Sequence, residues 1–160
     1  MGPRRYGDLS DVCELTYCLH VMVRYEIEKQ LIGGTLEVKD VPAEWNRLYK
    51  EYLGVDVPDD KHGCLQDSHW SGGSFGYFPS YALGSAYAAQ MLRNMEEEVD
   101  VWNDAGRGDL TNISSWLWVK VHRHGGLMEP ADVVKNACGE FDPTVYTDYL
   151  EWKYRKLYDL

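Results

Sequence analysis

The 160-residue chain carries a formal charge of −10 at neutral pH, six tryptophans and twelve tyrosines. That length suits one domain with a substantial core, and the ring content calls for aromatic packing in the interior or at an interface. The charge argues against a nucleic-acid partner, which needs a positive footprint to displace counterions, and against an anionic membrane surface.

Residues 1–10 read as a disordered or poorly matched leading segment, and residues 11–160 as one helical domain. Arg4 and Arg5 are not followed by an apolar stretch, so no secretory signal is expected. No apolar run reaches membrane-spanning length, and a cytoplasmic location is expected. Over residues 11–31, Val12, Leu15, Leu19, Met22, Val23, Ile27 and Leu31 recur at helical spacing. Asp11 with Glu14 suits a capping box, and Gly33-Gly34 an end. Tyr17, His20 and Arg24 share one face of this helix. An imidazole and a guanidinium on a mainly apolar face need partners: a carboxylate in a cleft, Glu28 one turn on, or polar pairing within the core.

Thr35 to Val38 alternate for less than one ordinary strand. Asp40-Val41-Pro42 predicts the cap and first turn of a second helix, with Trp45, Leu48, Tyr52 and Leu53 before Gly54. Residues 55–62 form an acidic turn region. A third helix is expected from Pro79 towards Trp102. Its small residues Gly84, Ser85, Ala86, Ala88 and Ala89 admit a close neighbour, and Glu96-Glu97-Glu98 reads as a solvated face. Thr111 or Asn112 should cap a fourth helix through Ile113, Trp116, Leu117, Val119 and Val121, closed by Gly125-Gly126. Glu129-Pro130 opens a fifth over residues 131–137, ended by Gly139. Pro143 to Tyr158 forms a sixth, with Val145, Tyr149, Leu150 and Trp152 to Tyr154 mostly inward. The expected fold class is all-α.

Cysteines at 13, 18, 64 and 138 make no CxxC pair, so free and mostly buried thiols in a reducing compartment are expected. Histidines at 20, 62, 69, 122 and 124 include no HExxH, and His122 and His124 do not share a helix face, so no metal ligand is assigned. There is no G-x-S-x-G elbow, and the glycines at 72, 73 and 76 lack the lysine of a phosphate loop. Gln66-Asp67-Ser68-His69-Trp70 holds the densest chemistry. Asp67 stands close enough to orient the His69 imidazole, and Trp70 could wall a site; a helix cap with a satisfied core histidine is the structural alternative. Tyr77 and Tyr81, one helical turn apart, read as donors into a cleft or as buried core tyrosines.

Glu14-Leu15-Thr16-Tyr17-Cys18-Leu19-His20 and Arg24-Tyr25-Glu26-Ile27-Glu28 resemble a helix of the M32 metallocarboxypeptidases, the carboxypeptidase Taq family. The stretch from Gly63 to Trp70 is similar to that family's G-x-x-Q-D-x-H-W motif at every fixed position. Gly76-Tyr77-Phe78-Pro79-Ser80-Tyr81, Leu83-Gly84, Tyr87-Ala88-Ala89-Gln90, Trp116-Leu117, His122, Tyr149-Leu150 and Lys153-Tyr154 extend the likeness over about residues 11–158. It implies the C-terminal third of a long helical fold with a deep groove, usually a homodimer, that removes C-terminal residues from peptides. Zinc or cobalt is expected in the full-length enzyme, held by HExxH and a downstream Glu that lie upstream of this region. Where I-R-x-x-A-D should fall, this sequence reads Asp8-Leu9-Ser10-Asp11-Val12-Cys13.

By the same resemblance, Gln66, Asp67, His69 and Trp70 line the substrate side of the groove near the peptide C-terminus, with Arg24 grouped among them. His69, with Tyr77 or Tyr81, is then a candidate donor to the oxyanion. A chain without HExxH is expected to be inactive alone and to need an upstream metal-binding half or a homodimeric partner. The alternative is a non-catalytic helical binding or assembly module.

Overall fold

In the computed structural model, residues 13–160 are described. They form seven α-helices joined by turns and short 3-10 segments, with no strand among the described residues. The helices are α1 (Tyr17–Ile32), α2 (Val41–Leu53), α3 (Pro79–Met95), α4 (Val101–Gly106), α5 (Thr111–Lys120), α6 (Pro130–Cys138) and α7 (Thr144–Tyr158). The fold is all-α, as the hydropathy pattern implies. None of the described helices is long and apolar enough to cross a membrane. Chain contacts divide the molecule into two compact units, one ending at Ala82 and one spanning Leu83–Leu160.

The expected Asp11 cap and most of the segment read as Asp8 to Cys13 lie outside the described residues. Within them, α1 starts later than the periodicity predicts. The Thr16 amide and hydroxyl both turn back to the Cys13 carbonyl, at 3.1 and 3.4 Å, so this hydroxyl does not cap the helix. In the first unit, Val23 and Ile27 of α1 pack on Val41, Trp45, Leu48 and Tyr49 of α2, with Cys64 completing the buried cluster. Trp45 stacks on Tyr49 at 4.9 Å and meets Trp70 edge-on at 6.1 Å, so aromatic packing links this cluster to the motif.

The second unit buries Met95, Val101 and Trp116 together, flanked by Leu92, Ile113, Leu117 and Ala137. The single helix expected from Pro79 to Trp102 is instead two. Three consecutive carboxylates at the end of a helix oppose its dipole. They peel away: Glu98 pairs with Lys120 at 3.0 Å and Glu96 accepts the Trp102 indole N–H. The turn lets Met95 and Val101 reach the same cluster. Helix α5 ends at Lys120 rather than at Gly125-Gly126, and His122–His124 forms a separate 3-10 segment. Thr111 and Asn112 lie inside α5, where Asn112 bonds to the buried Asp104 at 2.9 Å instead of capping.

Three further expectations are corrected. A Cβ built at Gly84 would meet nothing within 4 Å, so no neighbour packs closely there, whereas Ala86 and Ala89 are buried. Trp152 is 48% exposed, and only Val145 and Tyr146 of α7 are buried. Of the four free cysteines only Cys64 is buried, and Cys13 is exposed.

Candidate functional site

The site lies wholly in the first unit and begins at Gly63. A Cβ there would stand 2.7 Å from Val57 Cγ1 and 3.4 Å from Trp45 Nε1, so only glycine lets the chain press against the core. Asp59 caps the turn before it by accepting from the His62 amide at 2.9 Å and pairing with the His62 ring at 2.7 Å. Cys64–Gln66 then makes one 3-10 turn, and extended backbone at Asp67 sends its carboxylate towards α1.

Asp67 Oδ2 accepts from Arg24 Nε at 2.6 Å, with both side chains nearly buried. The guanidinium also donates to the His20 carbonyl at 2.7 Å and lies between two rings, 4.8 Å from the Trp45 centroid and 5.6 Å from Phe78. Arg24 Nε and Nη1 thus donate within the protein, and the guanidinium lies against two rings. His20, one turn earlier, meets the Tyr49 hydroxyl at 3.2 Å. Burial and then the Arg24 charge hold the His20 imidazole below its ordinary range, and burial pushes the Tyr49 phenol up.

His69 sits in an aromatic wall, 4.7 Å from the Phe78 centroid, 6.1 Å from Tyr77 and 6.2 Å from Tyr81. Its Nε2 lies 3.4 Å from the Tyr81 hydroxyl. Asp67 does not orient this ring through a hydrogen bond: His69 Nδ1 is 3.7 Å from Asp67 Oδ1 and is buried without a partner. The carboxylate is drawn instead to Arg24. Tyr77 precedes α3 rather than lying within it, yet its ring packs on Tyr81 at 5.1 Å, and it is 49% exposed. Burial, and then the neighbouring Tyr77 and Tyr17 phenols, push the Tyr81 phenol up.

Arg24, Asp67, His69, Trp70, Tyr77 and Tyr81 are thus brought together. Gln66 is exposed and donates back to the Lys61 carbonyl. One residue absent from the expected site stands at its centre. Glu28, 4% exposed, accepts the Trp70 indole N–H at 2.9 Å and the Gly76 amide at 3.0 Å. The available signal was the i, i+4, i+8 spacing of His20, Arg24 and Glu28, one polar side chain per turn of a single face. Among the described residues no group of three or more His, Cys, Asp or Glu is placed to hold a metal ion, so they do not fit a metal centre.

The model of the carboxypeptidase Taq (M32) metallopeptidase family matches residues 10–154. The chain belongs to the M32 family. Carboxypeptidase 1 of Bacillus subtilis (strain 168) is 47% identical over 147 residues, which are 91% of this chain and 29% of that protein. The solved M32 carboxypeptidase of Deinococcus radiodurans R1 superposes with a TM-score of 0.88 at 35% identity, covering 94% of this chain and 31% of that one. Metallocarboxypeptidase 1 of Trypanosoma cruzi gives 0.86 at 43% identity, covering 91% and 31%. The M32 match therefore takes in nearly all of this chain but less than a third of each relative.

Proposed function

We propose that this M32 chain supplies one wall of a peptide-binding groove, recognising the C-terminal end of a peptide for a metal-dependent carboxypeptidase. The observation that carries this reading is the clustering of the His69, Tyr77 and Tyr81 rings on one aromatic wall, with His69 Nε2 3.4 Å from the Tyr81 hydroxyl. N–H and O–H donors on a surface partly shielded from water suit a carboxylate, or the oxyanion of a peptide carbonyl under attack. Trp70 shapes the wall, while Arg24 and Asp67 hold each other and so fix where His69 begins. In this reading Gln66 serves the rim.

The family's chemistry uses a metal, held by residues outside those described; zinc or cobalt is the expected ion. This chain's residues bind, orient and donate protons, and alone they turn over no peptide. A metal-binding upstream half or a second copy completes the groove. Exposed Trp102, Trp118 and Trp152 favour, as a second reading, an assembly module without catalysis.

Titration of the chain with a short peptide, monitored by NMR at the His69 and Tyr81 rings, tests the main reading. A free C-terminus should bind at least about tenfold more tightly than the amidated form, the worth of one charge-assisted hydrogen bond. His69→Ala should remove that preference. Equal binding of the two peptides would reject carboxylate recognition, and metal-dependent release of C-terminal residues by the chain alone would reject its inactivity.

A further inference from the structure

We infer that Glu28 is the positioning residue of the His69 wall, a role that rests on the peptide-binding reading above. The loop between Asp67 and Tyr77 is folded largely upon itself: the Gly72 amide donates to the Ser68 and His69 carbonyls, Gly73 to Trp70, and Ser74 to His69. Those bonds shape the loop but do not attach it to the helices beneath. Beside the ring contacts of Trp70 with Trp45 and of His69 with Tyr81, one face of α1 ties the loop down through charged side chains. Arg24 takes the loop at Asp67, and Glu28, one turn on, takes it at Trp70 and again at Gly76.

The two groups held by Glu28 are the immediate neighbours of the proposed donors. Trp70 follows His69, and Gly76 precedes Tyr77. With its indole N–H fixed at 2.9 Å, Trp70 stands edge-on to both Trp45 and Phe78, and the His69 backbone cannot swing without breaking that arrangement. Gly76 has φ +76°, a conformation open to glycine at little cost, and its amide is turned inward to the second carboxylate oxygen. One buried side chain therefore sets both ends of the segment that carries the wall. The demand is specific for a carboxylate. Each oxygen accepts one N–H, and an isosteric amide offers one acceptor and one donor.

Glu28→Gln in the full chain separates this role from packing, since the volume is kept. Expected are unchanged helical circular dichroism, hydrogen exchange at least about tenfold faster at the Trp70 indole or the Gly76 amide, displaced His69 and Tyr77 ring resonances, and peptide affinity about tenfold weaker. Unaltered exchange and unmoved ring resonances would overturn the inference, because a purely space-filling residue tolerates glutamine. Should that variant fail to fold, Trp70→Phe removes one donor and leaves the carboxylate. It should shift the His69 resonances while the Gly76 amide stays protected; equal loss of protection at Gly76 would overturn the two-point hold. If the unsubstituted chain binds no peptide, the function reading falls, and the exchange and ring signals still decide the role of Glu28.

Discussion

Arg24 is the residue whose loss should be felt most within the site, because three kinds of interaction meet on one guanidinium. Planar and permanently charged, it pairs with Asp67, donates to the His20 carbonyl and stacks between Trp45 and Phe78. Arg24→Met keeps the apolar stem but strands Asp67, whose side chain is only 14% exposed. Breaking one side of such a pair costs about 3 kcal/mol, and urea denaturation should show a loss of that order, with Arg24→Lys recovering only part. A loss below about 0.5 kcal/mol would mean that water already solvates the pair. His20 adds a pH dependence of known sign. Its folded pKa lies below the ordinary value near 6.5, so the unfolded chain takes up the proton first. The contribution of His20 to stability is present above that value and is lost as the pH falls through the lower, folded one. The urea midpoint should drop between pH 7.5 and pH 5 more steeply for the unsubstituted chain than for His20→Gln. Parallel profiles would place the effect elsewhere.

At the scale of elements, Gln90 does for the second unit what Glu28 does for the first. It projects from α3, is 3% exposed, donates to the Cys138 and Glu140 carbonyls at 3.3 and 2.9 Å, and accepts from the Asp142 amide at 2.9 Å. The end of α6 and the approach to α7 are thereby tied to one side chain. Gln90→Met fills similar space and leaves those backbone groups without their partner. A cost of about 3 kcal/mol is expected from the buried groups left unpaired, measured as a reduced denaturant midpoint with the slope unchanged; a loss under 1 kcal/mol would show that water replaces the amide. Such long-range ties explain what was legible beforehand. Pro42 and Gly54 bracket α2, and Pro130 and Gly139 bracket α6, since local backbone chemistry decides those ends. The contiguous motif from Gln66 to Trp70 likewise announced itself. The break between Met95 and Val101 did not, because it depends on Met95 and Val101 sharing a cluster with Trp116. Glu28 reads from sequence as a partner for Arg24, but its actual partners, Trp70 and Gly76, lie 42 and 48 positions away.

For the whole molecule, the informative quantity is the apolar surface left exposed relative to the family's length. Trp118 is 61% exposed, Trp102 53% and Trp152 48%, while the chain spans 29% of Carboxypeptidase 1 of Bacillus subtilis. Large exposed rings in such number favour a further surface to pack against. If the proposed wall works with a metal-binding partner, activity should be recoverable by mixing. The part of the Bacillus subtilis protein outside its matched region, purified with metal, should release no C-terminal amino acid alone. Adding this chain should restore release in proportion to complex formed, with the tryptophan emission shifting to shorter wavelength as rings leave water. His69→Ala should lower the restored turnover at least about tenfold without weakening association, because a donor to developing charge acts on the reaction rather than on docking. Glu28→Gln should act in the same direction. Association without any release would favour the assembly module, and no association, at concentrations where helical content is retained, would remove the in-trans partner from the reading.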